Sequence, residues 1–152
     1  MNELDQLYQQ IILEHAKLRH GQGILGDPDG ESFQVNPTCG DQVNLQVRLD
    51  GDRIGELAWD GKGCSISQAS ISVMSTLVEG KTIEQAEHLH EIFSDLMNSR
   101  GKGIDPKREE ELEDASAFVG VAQFPARIKC ALLGWMALRD ATAKAQAKGE
   151  GQ

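Results

Sequence analysis

The sequence predicts an α+β fold: a small antiparallel sheet of about three strands packed against several helices, closed by a long C-terminal helix. Three observations carry that prediction. Val43-Asn44-Leu45-Gln46-Val47-Arg48-Leu49 alternates apolar and polar residues without a break, the period of a strand with one buried face. Apolar residues recur at helical spacing elsewhere, over the longest stretch in residues 124–146. After an opening helix, the strand signals come together and the remaining helical ones follow in a run, which argues against alternating βαβ units.

Taken in order, residues 3–20 form the first expected helix, with Leu4, Leu7, Tyr8, Ile11, Ile12 and His15 on one face. Residues 21–42 hold many of the glycines and prolines and read as a long loop. The strand at 43–49 turns at Asp50-Gly51-Asp52 and returns over 53–60, an expected hairpin, with a short strand running into Gly61–Cys64. Ser65 with Gln68, and Thr82 with Gln85, are capping-box pairs that open two more helices, the second ending near Ser99. Gly101-Lys102-Gly103-Ile104-Asp105-Pro106 breaks the pattern, and residues 107–114 suggest a short exposed helix. The last helix is apolar on most sides around Cys130, with Ile128, Leu132, Leu133, Trp135 and Met136, so its first half should be buried. Its final turns should be solvated, and residues 147–152 frayed. The whole chain, 1–152, reads as one domain carrying an exposed insertion at about 101–118.

A formal net charge of −9 argues against nucleic acid as a partner, because phosphate binding needs a basic surface. No apolar run approaches the roughly 20 residues of a membrane span, and the acidic start Met1-Asn2-Glu3-Leu4-Asp5 is unlike a signal or transit peptide. The expected location is cytoplasmic. In that reducing compartment an odd number of cysteines, three, points away from a disulfide framework.

Those cysteines carry the chemistry. Cys39 lies in a Gly/Pro loop, Asn36-Pro37-Thr38-Cys39-Gly40-Asp41, with Asp41 two residues on. Gly40 lets the chain turn tightly enough to aim both side chains at one ion. Cys64 closes Gly61-Lys62-Gly63 and opens a helix, where the dipole and free N–H groups favour a thiolate. Cys130 offers a sulfur held on a helix body, and Arg127 lies one turn earlier on the same face, where a cation would offset the negative charge of the site. Three thiolates and a carboxylate make a tetrahedral ligand set for zinc. Cys130 also fits an ordinary buried cysteine, and Asp41 an ordinary turn residue. Among the histidines, His15 reads as a packed residue of the first helix, His20 borders a loop, and His88 and His90 fall on a surface helix. The run Glu109-Glu110-Glu111 reads as a solvated helix face, and neither Gly-rich phosphate-loop pattern is present.

At these residues the chain resembles the IscU/NifU-like family of iron–sulfur assembly proteins. The likeness rests on Asn36-Pro37-x-Cys39-Gly40-Asp41, on Gly61-x-Gly63-Cys64-x-Ile66-Ser67, on Cys130 in the last helix, and on the opening helix from Leu7-Tyr8 to His15. It spans about residues 5–140 and implies an IscU-like fold. Within the family the SufU-type branch is the nearer match. IscU-type scaffolds carry His before the third cysteine, where this chain has Lys129. The segment between the second and third cysteines is longer, as in SufU-type proteins, and Arg127 matches their pattern. Ala16-Lys17-Leu18-Arg19-His20 departs from the family's usual Tyr-Lys-x-Pro-Arg-Asn type of stretch.

The resemblance implies a zinc-dependent sulfurtransferase. It would accept persulfide sulfur from a pyridoxal-phosphate cysteine desulfurase of the SufS type and pass it to downstream iron–sulfur assembly proteins. Carried over residue by residue, Cys39, Asp41, Cys64 and Cys130 would bind Zn2+, Cys39 would accept the sulfur, and Arg127 would support the desulfurase contact. A loop cysteine can leave a metal at modest cost and a helix cysteine cannot, which independently favours Cys39 over Cys130 as acceptor. The alternative is a scaffold that transiently holds an iron–sulfur cluster on the same ligands.

Overall fold

The structure, a computed structural model, describes residues 3–38 and 40–150. Three strands, β1 (Gly30–Asn36), β2 (Asp41–Asp50) and β3 (Arg53–Lys62), form an antiparallel sheet in the order β1-β2-β3. Among the described residues five α-helices accompany it: α1 (Glu3–Leu18), α2 (Ser65–Val78), α3 (Ile83–Met97), α4 (Pro106–Glu111) and α5 (Pro125–Glu150). A 3-10 helix, Glu113–Gln123, joins α4 to α5. The expected α+β class, the small antiparallel sheet and the long last helix are all present.

The third strand is not where the sequence placed it. The stretch expected to be a separate short strand at 61–64 is partly the end of β3, and the additional strand is β1, inside the expected loop. β1 is inverted relative to an ordinary half-buried strand. Its inward positions are Gly30, Ser32 and Asn36, while Phe33 and Val35 face solvent. The inward residues suit α5, which lies directly on them. A methyl group at Gly30 would fall 2.0 Å from the Ala141 carbonyl oxygen, and the Ser32 hydroxyl donates to Asp140 Oδ2 at 2.7 Å. Close approach thus replaces apolar area as the reason β1 is a strand.

The hairpin β2–β3 matches the expected one and runs from Asp50↔Arg53 back to Gln42↔Lys62, with an irregularity at Arg48/Leu49. Val43, Leu45 and Val47 are fully buried on the face of β2 that α5 covers, as their alternation requires. The Thr82–Gln85 capping box forms as read. The Ser65–Gln68 one does not: Cys64 is the N-cap, with no side-chain cap, and the Gln68 amide is engaged by Arg19.

The 101–118 segment is less exposed than expected. Leu112, Ala115 and Phe118 are buried, and Phe118 meets Phe93 edge-on at 5.9 Å between centroids. Phe93 in turn stacks on Trp135 at 5.2 Å. α4 and the 3-10 helix therefore form part of the core wall, because a chain leaving α3 must cover this aromatic group before α5 begins. In α5, Cys130, Ala131 and Trp135 are buried as expected, but Met136 is 53 % exposed. Ala141 and Ala145 are buried in the turns expected to be solvated, because they are the small residues that face β1. Of the expected frayed tail, residues 147–150 continue α5, and 151–152 lie outside the described residues. No helix among the described residues is long and apolar enough to cross a membrane.

His90, expected on a surface, is 5 % exposed and tilts against Trp135 at 5.7 Å. Burial, reinforced by the Arg139 charge and opposed by Glu87, lowers its pKa from 6.5 to about 4. The unfolded chain therefore binds a proton here that the native state refuses. Stability from this group is complete above pH 6.5 and is lost as pH falls toward 4, with a slope of at most about 1.4 kcal/mol per pH unit. Denaturant titrations at several pH values should show His90→Phe losing less stability than the native protein over that window. At Gly30 the expected outcome of Gly30→Ala is a destabilisation of about 3 kcal/mol, read as a lower denaturation midpoint.

Candidate metal centre

Three chain segments deliver potential ligands to one place. β1 and β2 pair as far as Asn36↔Asp41, so the loop carrying Pro37, Thr38 and Gly40 is the tip of a hairpin. Gly40 donates its N–H to the Asn36 carbonyl at 2.9 Å and has φ +73, a left-handed conformation that glycine tolerates best. Asp41, the first residue of β2, is fully buried at that tip.

The β3–α2 turn brings Cys64 to the same point. Its backbone N–H donates to Asp41 Oδ1 at 2.8 Å, and its sulfur lies 3.7 Å from Asp41 Oδ2. Gly63 permits this approach: at φ +153, a Cβ there would sit 2.2 Å from Asp41 Oδ1. Ser67, buried one turn into α2, donates to the Cys64 carbonyl at 3.0 Å, and its hydroxyl oxygen is 4.0 Å from the Cys64 sulfur. α5 contributes Cys130 from above. Its sulfur lies 3.8 Å from Asn36 Nδ2 and 3.7 Å from the Ala126 carbonyl.

The ligand atoms of Asp41, Cys64 and Cys130 all lie within 4.8 Å of one another, the one such cluster found among the described residues. A carboxylate and two sulfurs so disposed suit a thiophilic divalent cation. Asp41 makes no ion pair among the described residues, although burying an ionised carboxylate is costly without a compensating charge. A cation bound between Asp41 and the sulfurs would provide that charge. Cys39, the fourth residue of the expected set, lies outside the described residues.

Arg127 is exposed and lines a groove of about 720 Å³ with Tyr8, Ile12, Ile66 and Phe124. It makes no ion pair with Asp41 among the described residues. The histidines stand apart from the cluster. His15 is buried, with Nδ1 2.9 Å from the Ser72 hydroxyl and Nε2 3.6 Å from Asp114, so it is the packed residue expected. His20 contributes backbone contacts to Ser72 and Trp59, and His88 pairs with Glu111 at the surface. Two neighbours of the cluster were not singled out from sequence. Asn36 was legible only as part of its motif, and Ser67 only as part of the Cys64 turn.

This fold and site define a class. The NifU-like N terminal domain family matches residues 7–148. The chain belongs to the IscU/NifU-like family of iron–sulfur cluster assembly proteins, as a SufU-type member. It is 45% identical over 141 residues to the zinc-dependent sulfurtransferase SufU of Bacillus subtilis (strain 168), covering 93% of this chain and 92% of that one. It is 42% identical over 143 residues to the iron–sulfur cluster assembly scaffold protein IscU of Streptococcus pyogenes serotype M1, covering 93% and 86%. The crystal structure of FiSufU from thermophilic Fervidobacterium islandicum AW-1 superposes with a TM-score of 0.80 at 34% identity, over 90% of this chain and 96% of that one.

Gly63→Ala should displace the Asp41 carboxylate while leaving the core intact. The expected outcome is a fall of about tenfold or more in affinity for Zn2+ or Co2+, measured by competition with a chromophoric chelator.

Proposed function

We propose that this protein is a zinc-dependent sulfurtransferase that accepts persulfide sulfur from a SufS-type cysteine desulfurase for iron–sulfur cluster biogenesis. The observation that carries the reading is the convergence of Asp41, Cys64 and Cys130 within 4.8 Å. The relative named a zinc-dependent sulfurtransferase supports it, at 45% identity. Asp41, Cys64 and Cys130 would hold Zn2+ with Cys39, two residues before Asp41, as fourth ligand. When bound, Zn2+ would keep its thiol ligands deprotonated.

The chain's own residues divide the work. Cys64 is fixed by its N–H bond to Asp41 and by its place at the start of α2. Cys130 is fixed on α5, 1 % exposed. In the sequence Cys39 lies between Thr38 and Gly40, which are both exposed at the hairpin tip. The exposure of its two neighbours supports Cys39 as the thiol offered to a large partner. In the transfer step the Cys39 thiolate attacks the terminal sulfur of the donor's cysteine persulfide. The donor S–S bond breaks, the donor cysteine leaves as a thiolate, and the sulfane sulfur with its proton remains on Cys39 as a new persulfide. No external oxidant or reductant is required. Arg127, exposed at the start of α5, would support the docked desulfurase.

A second reading, an iron–sulfur scaffold on the same ligands, is favoured by the Streptococcus pyogenes relative of that name. Lys129, in the position where IscU-type scaffolds carry His, favours transfer. The two separate on isolation: transfer predicts a colourless protein with one zinc per chain, a scaffold a brown protein containing iron and sulfide. In single-turnover assays with a persulfide-loaded desulfurase, Cys39→Ser should take up no sulfur while still docking. Persulfide forming at the native rate on another cysteine would sink the assignment.

A further inference from the structure

We infer that Arg19 is a positioning residue for Cys64. Arg19 follows α1 in a left-handed conformation, φ 49, which turns its side chain back across the end of β3. The guanidinium lies over the Trp59 ring, 4.9 Å from its centroid. From there Nη2 donates to the Gly61 carbonyl at 3.1 Å and lies 3.9 Å from Asp60 Oδ1, while Nη1 donates to Gln68 Oε1. Nε is held by Gln22 Oε1 at 2.9 Å.

Gly61 and Gln68 bracket Cys64 in sequence, one on the last residues of β3 and the other in the first turns of α2. Arg19 therefore spans the turn on which Cys64 rides. That turn, Gly61-Lys62-Gly63-Cys64, is soft on its own, because two of its four residues are glycine. Among the described residues Gln68 Oε1 accepts only from Arg19, and its buried Nε2 has no partner. Removing the guanidinium would orphan the whole buried amide. Gln68 would then have to move, and with it the helical turn in which its N–H donates to the Cys64 carbonyl at 3.2 Å. A planar fork is what bridges two acceptors on different elements, which a lysine ammonium matches poorly.

The inference rests on the reading of Cys64 as a metal ligand, and two readouts keep the two apart. In the metal-free protein, iodoacetamide alkylation of each cysteine is followed by mass spectrometry. In the second, Co2+ is titrated against a competing chelator, and thiolate-to-metal absorption reports the site. Arg19→Ala should speed alkylation of Cys64 severalfold, leave that of Cys130 unchanged, and weaken Co2+ binding by about tenfold. Arg19→Lys should fall between native and Arg19→Ala, and serves if the alanine variant folds poorly. Gln68→Leu should reproduce the effect, and the double variant should be no worse than either single one. Native rates of Cys64 alkylation in both Arg19 variants would overturn the inference, even if stability fell. Failure of the native protein to bind Co2+ would instead overturn the metal reading, with the alkylation rates still deciding the role of Arg19.

Discussion

Helix α5 lies so close to β1 that a methyl group at Gly30 would fall 2.0 Å from the Ala141 carbonyl oxygen and 2.9 Å from the Ala145 nitrogen. Only small residues permit such a distance, and α5 presents them: Gly134, Ala137, Ala141 and Ala145 are all buried. At Gly134 the contact passes to α2, where a Cβ would meet Ile71 Cγ1 at 2.5 Å. Packing of this kind leaves little freedom to slide, because interiors are close-packed and resist overlap. The height and register of α5 above the sheet are thereby set, and with them the place of Cys130 over Asn36 and Asp41.

The candidate metal centre inherits its precision from that contact. Its three candidate ligands among the described residues come from a strand start, a helix start and a helix body, each held by a different kind of force. Asp41 is held by sheet pairing and by the Cys64 N–H, Cys64 by that same bond and the first turn of α2, and Cys130 by the α5 seam. None of these depends on the ion. A site assembled in this way can keep most of its shape while one ligand leaves, which sulfur transfer through a loop cysteine would require.

Much of the chemistry was legible in the chain, and some of the architecture was not. Alternation revealed β2, and Thr82 with Gln85 revealed the start of α3, because both signals are local. β1 escaped because its apolar residues, Phe33 and Val35, face outward and its inward ones are small or polar. Periodicity reads burial, and here burial came from contact with a helix distant in sequence. His90 and the 101–118 segment were misplaced for a related reason. Their surroundings are Trp135 and Phe93, on elements that local charge and spacing cannot bring into view.

By itself the sequence determined the α+β class, the β2–β3 hairpin, the long last helix and the types of candidate ligand, since each depends on short-range spacing or on side-chain chemistry alone. It also carried the family, through three motifs in order. Only the tertiary structure decided that Asp41, Cys64 and Cys130 share one point. It alone decided that Arg127 lines a groove with Tyr8 and Ile66 and that Arg19, a residue with no motif of its own, grips both sides of the Cys64 turn. Those are distances between residues far apart in the chain. They are set by how closely backbones approach where glycine and alanine allow it, a quantity that no local pattern encodes.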